Sequence, residues 1–189
     1  GTDGQPSPRL DHMTFRRSIA DTSNPARIAG AASRNATQHV MSGSMSLKIR
    51  PPIDATRDWA LLRLERPACR SSTLKLADRT TAEVIDLSQA NRVYQVAFHR
   101  DFADWQLAIG RPCKIARSFE HADWETIDRD FEDAGNLVLH ACDTGGASSG
   151  SPLLIDGPDG PEVVAGNVGT YVLSRVLMND DKIVKRFGS

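Results

Sequence analysis

The sequence predicts an all-β protein, a sandwich or a pair of barrels, on three observations: its apolar segments are short and strand-like, turn residues separate them at close intervals, and helical periodicity is scarce. MTFRRSIA (13–20) alternates apolar and polar residues as a half-buried strand does. DWALLRL (58–64), STLKLA (72–77), RVYQVAFHR (92–100) and WQLAIG (105–110) carry further strand signals. NLVLHA (136–141), SPLLID (151–156) and EVVAGNVGTYVL (162–173) complete the set. Gly, Pro and Asp in GTDGQPSP, RPPIDATRD, GRP and DGPDGP supply the turns that stop these strands. EHADWETIDRDF (120–131) is the one helix candidate. TTAEVIDLSQAN (80–91) is polar without clear alternation and reads as a linker between two groups of strands.

The chain has 189 residues, 40% hydrophobic and 25% charged, which suits a globular protein with one large core or two small ones. Its 23 Lys+Arg against 24 Asp+Glu leave a formal net charge of −1, so it has no basic excess with which to displace counterions from nucleic acid. No apolar run is long enough for a membrane-spanning helix. The 3 cysteines, Cys69, Cys113 and Cys142, lack zinc-site spacing and allow one internal bridge. HExxH, P-loop and strand-linked GxGxxG motifs are absent, so neither a metal nor another cofactor is implied.

The segment CDTGGASSGSPLL (142–154) carries the chemistry. A serine followed by Gly-Ser-Pro and preceded by glycines lets the backbone turn tightly and aim successive N–H groups at one developing oxyanion, which makes Ser149 the candidate nucleophile. The plain alternative is a Ser/Gly-rich surface turn. In RDWALLRL, Asp58 stands at the entry of an apolar strand, where packing half-buries a carboxylate and holds it against an imidazole; otherwise it is a strand-entry turn residue.

In that order, the Asp58 and Ser149 motifs resemble those of the trypsin-like serine endopeptidases of the chymotrypsin fold, especially their bacterial glutamyl-endopeptidase-like branch, over roughly residues 40 to 172. VVAGNVGTYV (163–172) resembles the strand that lines the substrate cleft in that family. The resemblance implies two antiparallel β-barrels, here 1–85 with Asp58 and 86–189 with Ser149. It also implies a Cys113–Cys142 disulfide, an oxyanion hole from the N–H groups of Ala147 and Ser149, and a protein or peptide substrate. The implied location is secreted or periplasmic. Gly145 and Gly146 offer further N–H groups.

The family's triad runs His, Asp, Ser, and no matching histidine segment precedes Asp58. His12 lies in a polar strand entry without a small-residue turn, and His39 is read as an exposed strand-end residue. His99 and His140 are read as packing or strand-edge groups. The chain starts at Gly1, and the expectation is that it begins after the histidine-bearing hairpin, with the first barrel incomplete and the chain inactive alone.

Ala147 stands where the family has glycine, which sets a β-carbon in a left-handed backbone. Asp143 falls at the base of the family's specificity pocket, where a carboxylate favours Arg or Lys; its plain alternative is a turn cap. Thr144, Asn167 and Gly169 complete the substrate-binding set, with Asn167 replacing the histidine that binds a glutamate side chain in the glutamyl-specific branch. Trp59 and Trp105 read as core aromatics, and Asn35-Ala36-Thr37 is a sequon. Competing hypotheses are a non-catalytic protease homologue that binds a protein partner, and a plain β-sandwich binding domain.

Overall fold

The structure is a computed structural model that describes residues 13–16, 25–30, 39–44, 51–69, 73–101, 106–120, 122–169, 175–179 and 182–187. His12, the sequon, Trp105 and His121 lie outside the described residues. Among the described residues the fold is mostly β with two short helices, and its sheets do not close into barrels, which corrects the two-barrel expectation. By contacts the chain divides into unit 1, Gly1–Leu74 with Asp128–Leu137, and unit 2, Lys75–Ile127 with Val138–Ser189.

In unit 1, β1 (Thr14–Phe15) pairs antiparallel with β2 (Ala26–Arg27), and β3 (Val40–Ser42) with β4 (Ala60–Leu62). Ala26 and Ile28 are buried, whereas Met41, Leu61 and Trp59 stay open to solvent. Trp59, 52% exposed, is therefore no core aromatic. It falls just before β4, where Gly43 N–H bonds its carbonyl and leaves the indole on the outside of the hairpin.

Unit 2 carries a five-stranded sheet. Its strands are β5 (Lys75–Leu76), β6 (Val93–Phe98), β7 (Leu107–Ile109), β10 (Pro152–Gly157) and β11 (Gly160–Gly166), in the order β5-β11-β10-β6-β7. β5 joins parallel to β11; the other pairings are antiparallel. Alternation on β6 sends Val93, Gln95 and Ala97 inward, as period-two side-chain placement requires. β10 and β11 form a hairpin through Pro158 and Asp159, where Gly160 takes φ 122, a backbone that a side chain rarely tolerates.

The segment expected as a linker is instead α1 (Thr81–Gln89). Thr80 accepts the Glu83 N–H while the Glu83 carboxylate takes the Thr80 N–H, a reciprocal capping box, and Val84 and Ser88 turn one face into the core. Lys114 Nζ binds the carbonyls of Ser88 and Gln89 at the other end, where unsatisfied carbonyls favour a cation. α2 (Trp124–Asp130) is shorter than the expected 120–131, because Asp123 caps it: its carboxylate accepts the Thr126 N–H and hydroxyl.

β8 (Ile115–Ala116) pairs with β9 (Leu139–His140), and β12 (Arg175–Asn179) with β13 (Lys182–Phe187). The core gathers Val84, Val93, Cys113, Ile115, Cys142, Leu153 and Ile155. Within it Cys113 and Cys142 form a disulfide, their Cα atoms 4.8 Å apart. A cross-link over a separation of 29 residues restricts the unfolded chain by about 3–4 kcal/mol on loop-entropy grounds.

Candidate active site

The loop from Cys142 to Pro152 begins at the disulfide and ends where β10 starts, so both its ends are fixed in the core of unit 2. Between them the backbone turns through two left-handed residues, Ala147 at φ 73 and Gly150 at φ 83. This tight reversal presents Ser149 to solvent while Ser148, its neighbour, is buried at 5% exposure. The alanine therefore does adopt the backbone in which glycine is favoured, at a cost of about 1–2 kcal/mol.

A buried polar layer holds the loop from below. The Ser148 carbonyl accepts from Ser151 N–H (3.1 Å), Ser151 Oγ (2.6 Å) and Asn167 Nδ2 (3.1 Å), and Ser151 Oγ in turn accepts from Gln95 Nε2 (2.6 Å). Asn167 also ties the loop through its backbone: its carbonyl accepts the Gly150 N–H at 2.6 Å and its N–H donates to the Ser151 carbonyl at 2.9 Å. Its Oδ1 meets His140 Nε2 at 3.2 Å, and His140 Nδ1 accepts the Cys142 N–H at 3.3 Å.

Asn167 thus differs from its expected place in the substrate pocket. It is 3% exposed and both ends of its amide are engaged by Ser148 and His140, so it secures the loop and offers nothing to a side chain from outside. Asp143 and Gly169 are exposed and Thr144 is half-buried, which leaves these three accessible.

Gly145 and Gly146 also depart from expectation, since their N–H groups are occupied. Gly145 N–H donates to His99 Nδ1 at 3.1 Å, and Gly146 N–H donates to the Asp101 carboxylate at 3.0 and 3.1 Å. A β-carbon on Gly145 would stand 2.5 Å from Asp101 Oδ1, so the Asp101 side chain would have to shift from this position to admit one. The Gly146 N–H holds the Asp101 carboxyl below its ordinary range, the effect of a donor on the charged form. By contrast, the N–H groups of Ala147 and Ser149 and the Ser149 hydroxyl make no hydrogen bond among the described residues.

No family model, curated protein or solved structure matches this chain.

Asp58 belongs to unit 1 and Ser149 to unit 2. The expectation of a half-buried Asp58 is corrected: it is exposed, at the end of a 3-10 turn over Ala55–Arg57. The buried carboxylate of this segment is Asp54, 2% exposed, which a place at the entry of the apolar strand does not single out.

His39 is half-buried, not an exposed strand end, and its carbonyl accepts the Arg63 N–H. Trp59 pairs with Gly43 at the other end of the same hairpin, so at about 3.3 Å per residue His39 lies on the order of 13 Å from the Asp58 side. Among the described residues no group of His, Cys, Asp and Glu is arranged to hold a metal ion.

Proposed function

We propose that this chain is a serine endopeptidase of the chymotrypsin type, with Asp58 carried by residues 1–85 and Ser149 by residues 86–189. Ser149 Oγ attacks the scissile carbonyl of a protein or peptide substrate to form an acyl-enzyme that water then hydrolyses. The N–H groups of Ala147 and Ser149 donate to the oxyanion, and Asp58 orients a histidine that takes the Ser149 proton. Asp143, Thr144 and Gly169 contact the substrate. The reading rests on one observation: an exposed serine hydroxyl and two unbonded N–H groups share a sharp turn whose other members are tied down from beneath. Preorganised donors of this kind supply transition-state stabilisation. The Cys113–Cys142 disulfide supports a secreted or periplasmic location, where such bonds persist. No helix among the described residues is long and apolar enough to cross a membrane.

A second reading, a non-catalytic homologue that binds a protein partner, is favoured by the engagement of the histidines nearest the loop. His99 Nδ1 holds Gly145 N–H, and both nitrogens of His140 are bonded away from Ser149. A fluorophosphonate probe separates the two readings when it is incubated with a form of the protein that contains a histidine able to take the Ser149 proton. Peptide mapping is expected to find the adduct on Ser149, and Ser149→Ala is expected to abolish it. A folded, histidine-bearing protein that takes no label would leave the binding module as the function.

A further inference from the structure

The hydrogen bonds beneath the candidate nucleophile form a chain whose proton positions are fixed at both ends by backbone groups. The Ser148 carbonyl can only accept, so the Asn167 atom facing it at 3.1 Å is the amide nitrogen. Asn167 Oδ1 is then the atom that faces His140 at 3.2 Å, and it can only accept, so His140 Nε2 carries a proton. At the other end the Cys142 N–H can only donate, so His140 Nδ1 is unprotonated. All these contacts are satisfied together by one state, the neutral imidazole with its proton on Nε2.

We propose that His140 is a positioning residue for Ser149, acting through Asn167 to hold the Ser148–Gly150 turn, and that protonating His140 releases this hold. A proton added at Nδ1 sets one donor against another at Cys142 N–H and breaks the end of the chain. The charged ring is also poorly tolerated where it is half-buried and is drawn toward water. A ring that moves carries Nε2 away from Asn167 Oδ1, so the turn loses the support that fixes the Asn167 amide under Ser148.

Burial lowers the His140 pKa from its ordinary value and outweighs the opposing bond to Asn167. Across the ladder the ring's neighbour is Ile115, and no charged group among the described residues contributes to the shift. The charged residues beside β8 are turned elsewhere: Lys114 Nζ binds the end of α1, and Arg117 stacks on the Trp124 ring 4.4 Å from its centroid. Asp143, just beyond Cys142, is exposed. The loop is thus held at neutral pH and loosened in mild acid.

The proposal rests on reading Ser149 as the nucleophile, and the experiment keeps the two apart. Hydrogen exchange at the Gly150 amide, corrected for intrinsic rates, reports the bond to the Asn167 carbonyl. Protection in the wild type is expected to fall about tenfold from pH 7.5 to pH 5.0, a factor equivalent to about 1.4 kcal/mol, or one ordinary hydrogen bond. Its midpoint should coincide with the NMR titration of the His140 ring.

Glutamine at this position can donate and accept as the neutral ring does without titrating. His140→Gln is therefore expected to keep protection at pH 7.5 and lose its pH dependence, and His140→Ala to lose protection at both. Protection unchanged with pH, or a midpoint that departs from the His140 titration, overturns the proposal, and this arm needs only the wild type.

Fluorophosphonate labelling of a histidine-bearing form of the protein, run in parallel, tests the other claim. If protection follows His140 but Ser149 takes no label at either pH, the peptidase reading falls and the positioning role stands. If Ser149 is labelled while protection ignores His140, the positioning role falls and the peptidase reading stands.

Discussion

Ala147 concentrates the strain of the loop in one residue, since its left-handed backbone at φ 73 is one in which a β-carbon crowds the following carbonyl oxygen. Replacing it with glycine removes about 1–2 kcal/mol of that crowding but frees the unfolded chain by about 0.4–1 kcal/mol. The balance favours the folded state, so Ala147→Gly is expected to raise stability by about 0.5–1 kcal/mol, read as a higher urea midpoint at unchanged slope. A lowered midpoint would show that the alanine methyl packs favourably enough to offset its backbone. Sequence makes this position legible because the loop from Cys142 to Pro152 is contiguous and its Gly145-Gly146 run gives way to an alanine at Ala147. The residues that hold the loop were not legible. His99 lies 46 positions from Gly145, and Gln95 lies 56 from Ser151, and neither AFHRD nor RVYQV carries a local signal of such a contact. Asn167 shows the same limit in another form: the sequence suggests a place in the substrate pocket, and only burial reveals that its amide lies under the loop.

α1 follows the same logic at the level of an element. Thr80 and Glu83 spell a capping box, and Val84, Ile85, Leu87 and Ser88 give a face that packs, yet the segment's polarity suggested a linker. Polarity misled because a nine-residue helix with one buried stripe needs only a few apolar positions. The Thr80 cap holds the N-terminal donors of a helix whose Ser88 hydroxyl accepts the Ile115 N–H at 2.9 Å and donates to the Ile85 carbonyl at 2.7 Å, with the Ile115 carbonyl 3.2 Å away. Thr80→Ala is therefore expected to cost about 1 kcal/mol, measured as a reduced urea midpoint. The matching variant Ser88→Ala, which leaves a buried N–H on Ile115 without its acceptor, is expected to cost more, about 1–3 kcal/mol. Equal effects would mean that the cap governs how α1 docks. The strands were read more successfully, because β6, β10 and β11 announce themselves by short apolar runs between turn residues, and the Gly157–Gly160 hairpin falls where DGPDGP placed a turn.

For the whole molecule, alternation predicts strands but not closure, which depends on stagger and pairing between segments far apart in sequence. In the five-stranded sheet, β5 and β7 are the edges among the described residues, and Leu76, Leu107 and Ile109 on them are exposed. A property that does integrate the whole chain is the pH dependence of its stability, whose sign follows from the shifted groups. His140 has a lowered pKa, so the unfolded chain binds its proton first; the stability it contributes is present above 6.5 and is lost as pH falls through its folded value. Asp101 and Glu83 are also lowered, chiefly by the N–H groups of Gly146 and Thr80. Their contributions are present above 3.8 and 4.5 and are lost at more acid pH. Tyr94 is raised by burial and by its bond to Asp156, so its contribution is present below 10.0 and is lost as pH rises beyond. The urea midpoint should therefore be highest between 6.5 and 10.0, decline first below 6.5, and decline again below 4.5. Among the described residues the first decline belongs to a single ring, so His140→Gln should reduce it and leave the second in place. A midpoint that begins to fall only below 4.5 in the wild type would mean that His140 carries the same proton affinity folded and unfolded, and that its ring is not buried as the loop's support requires.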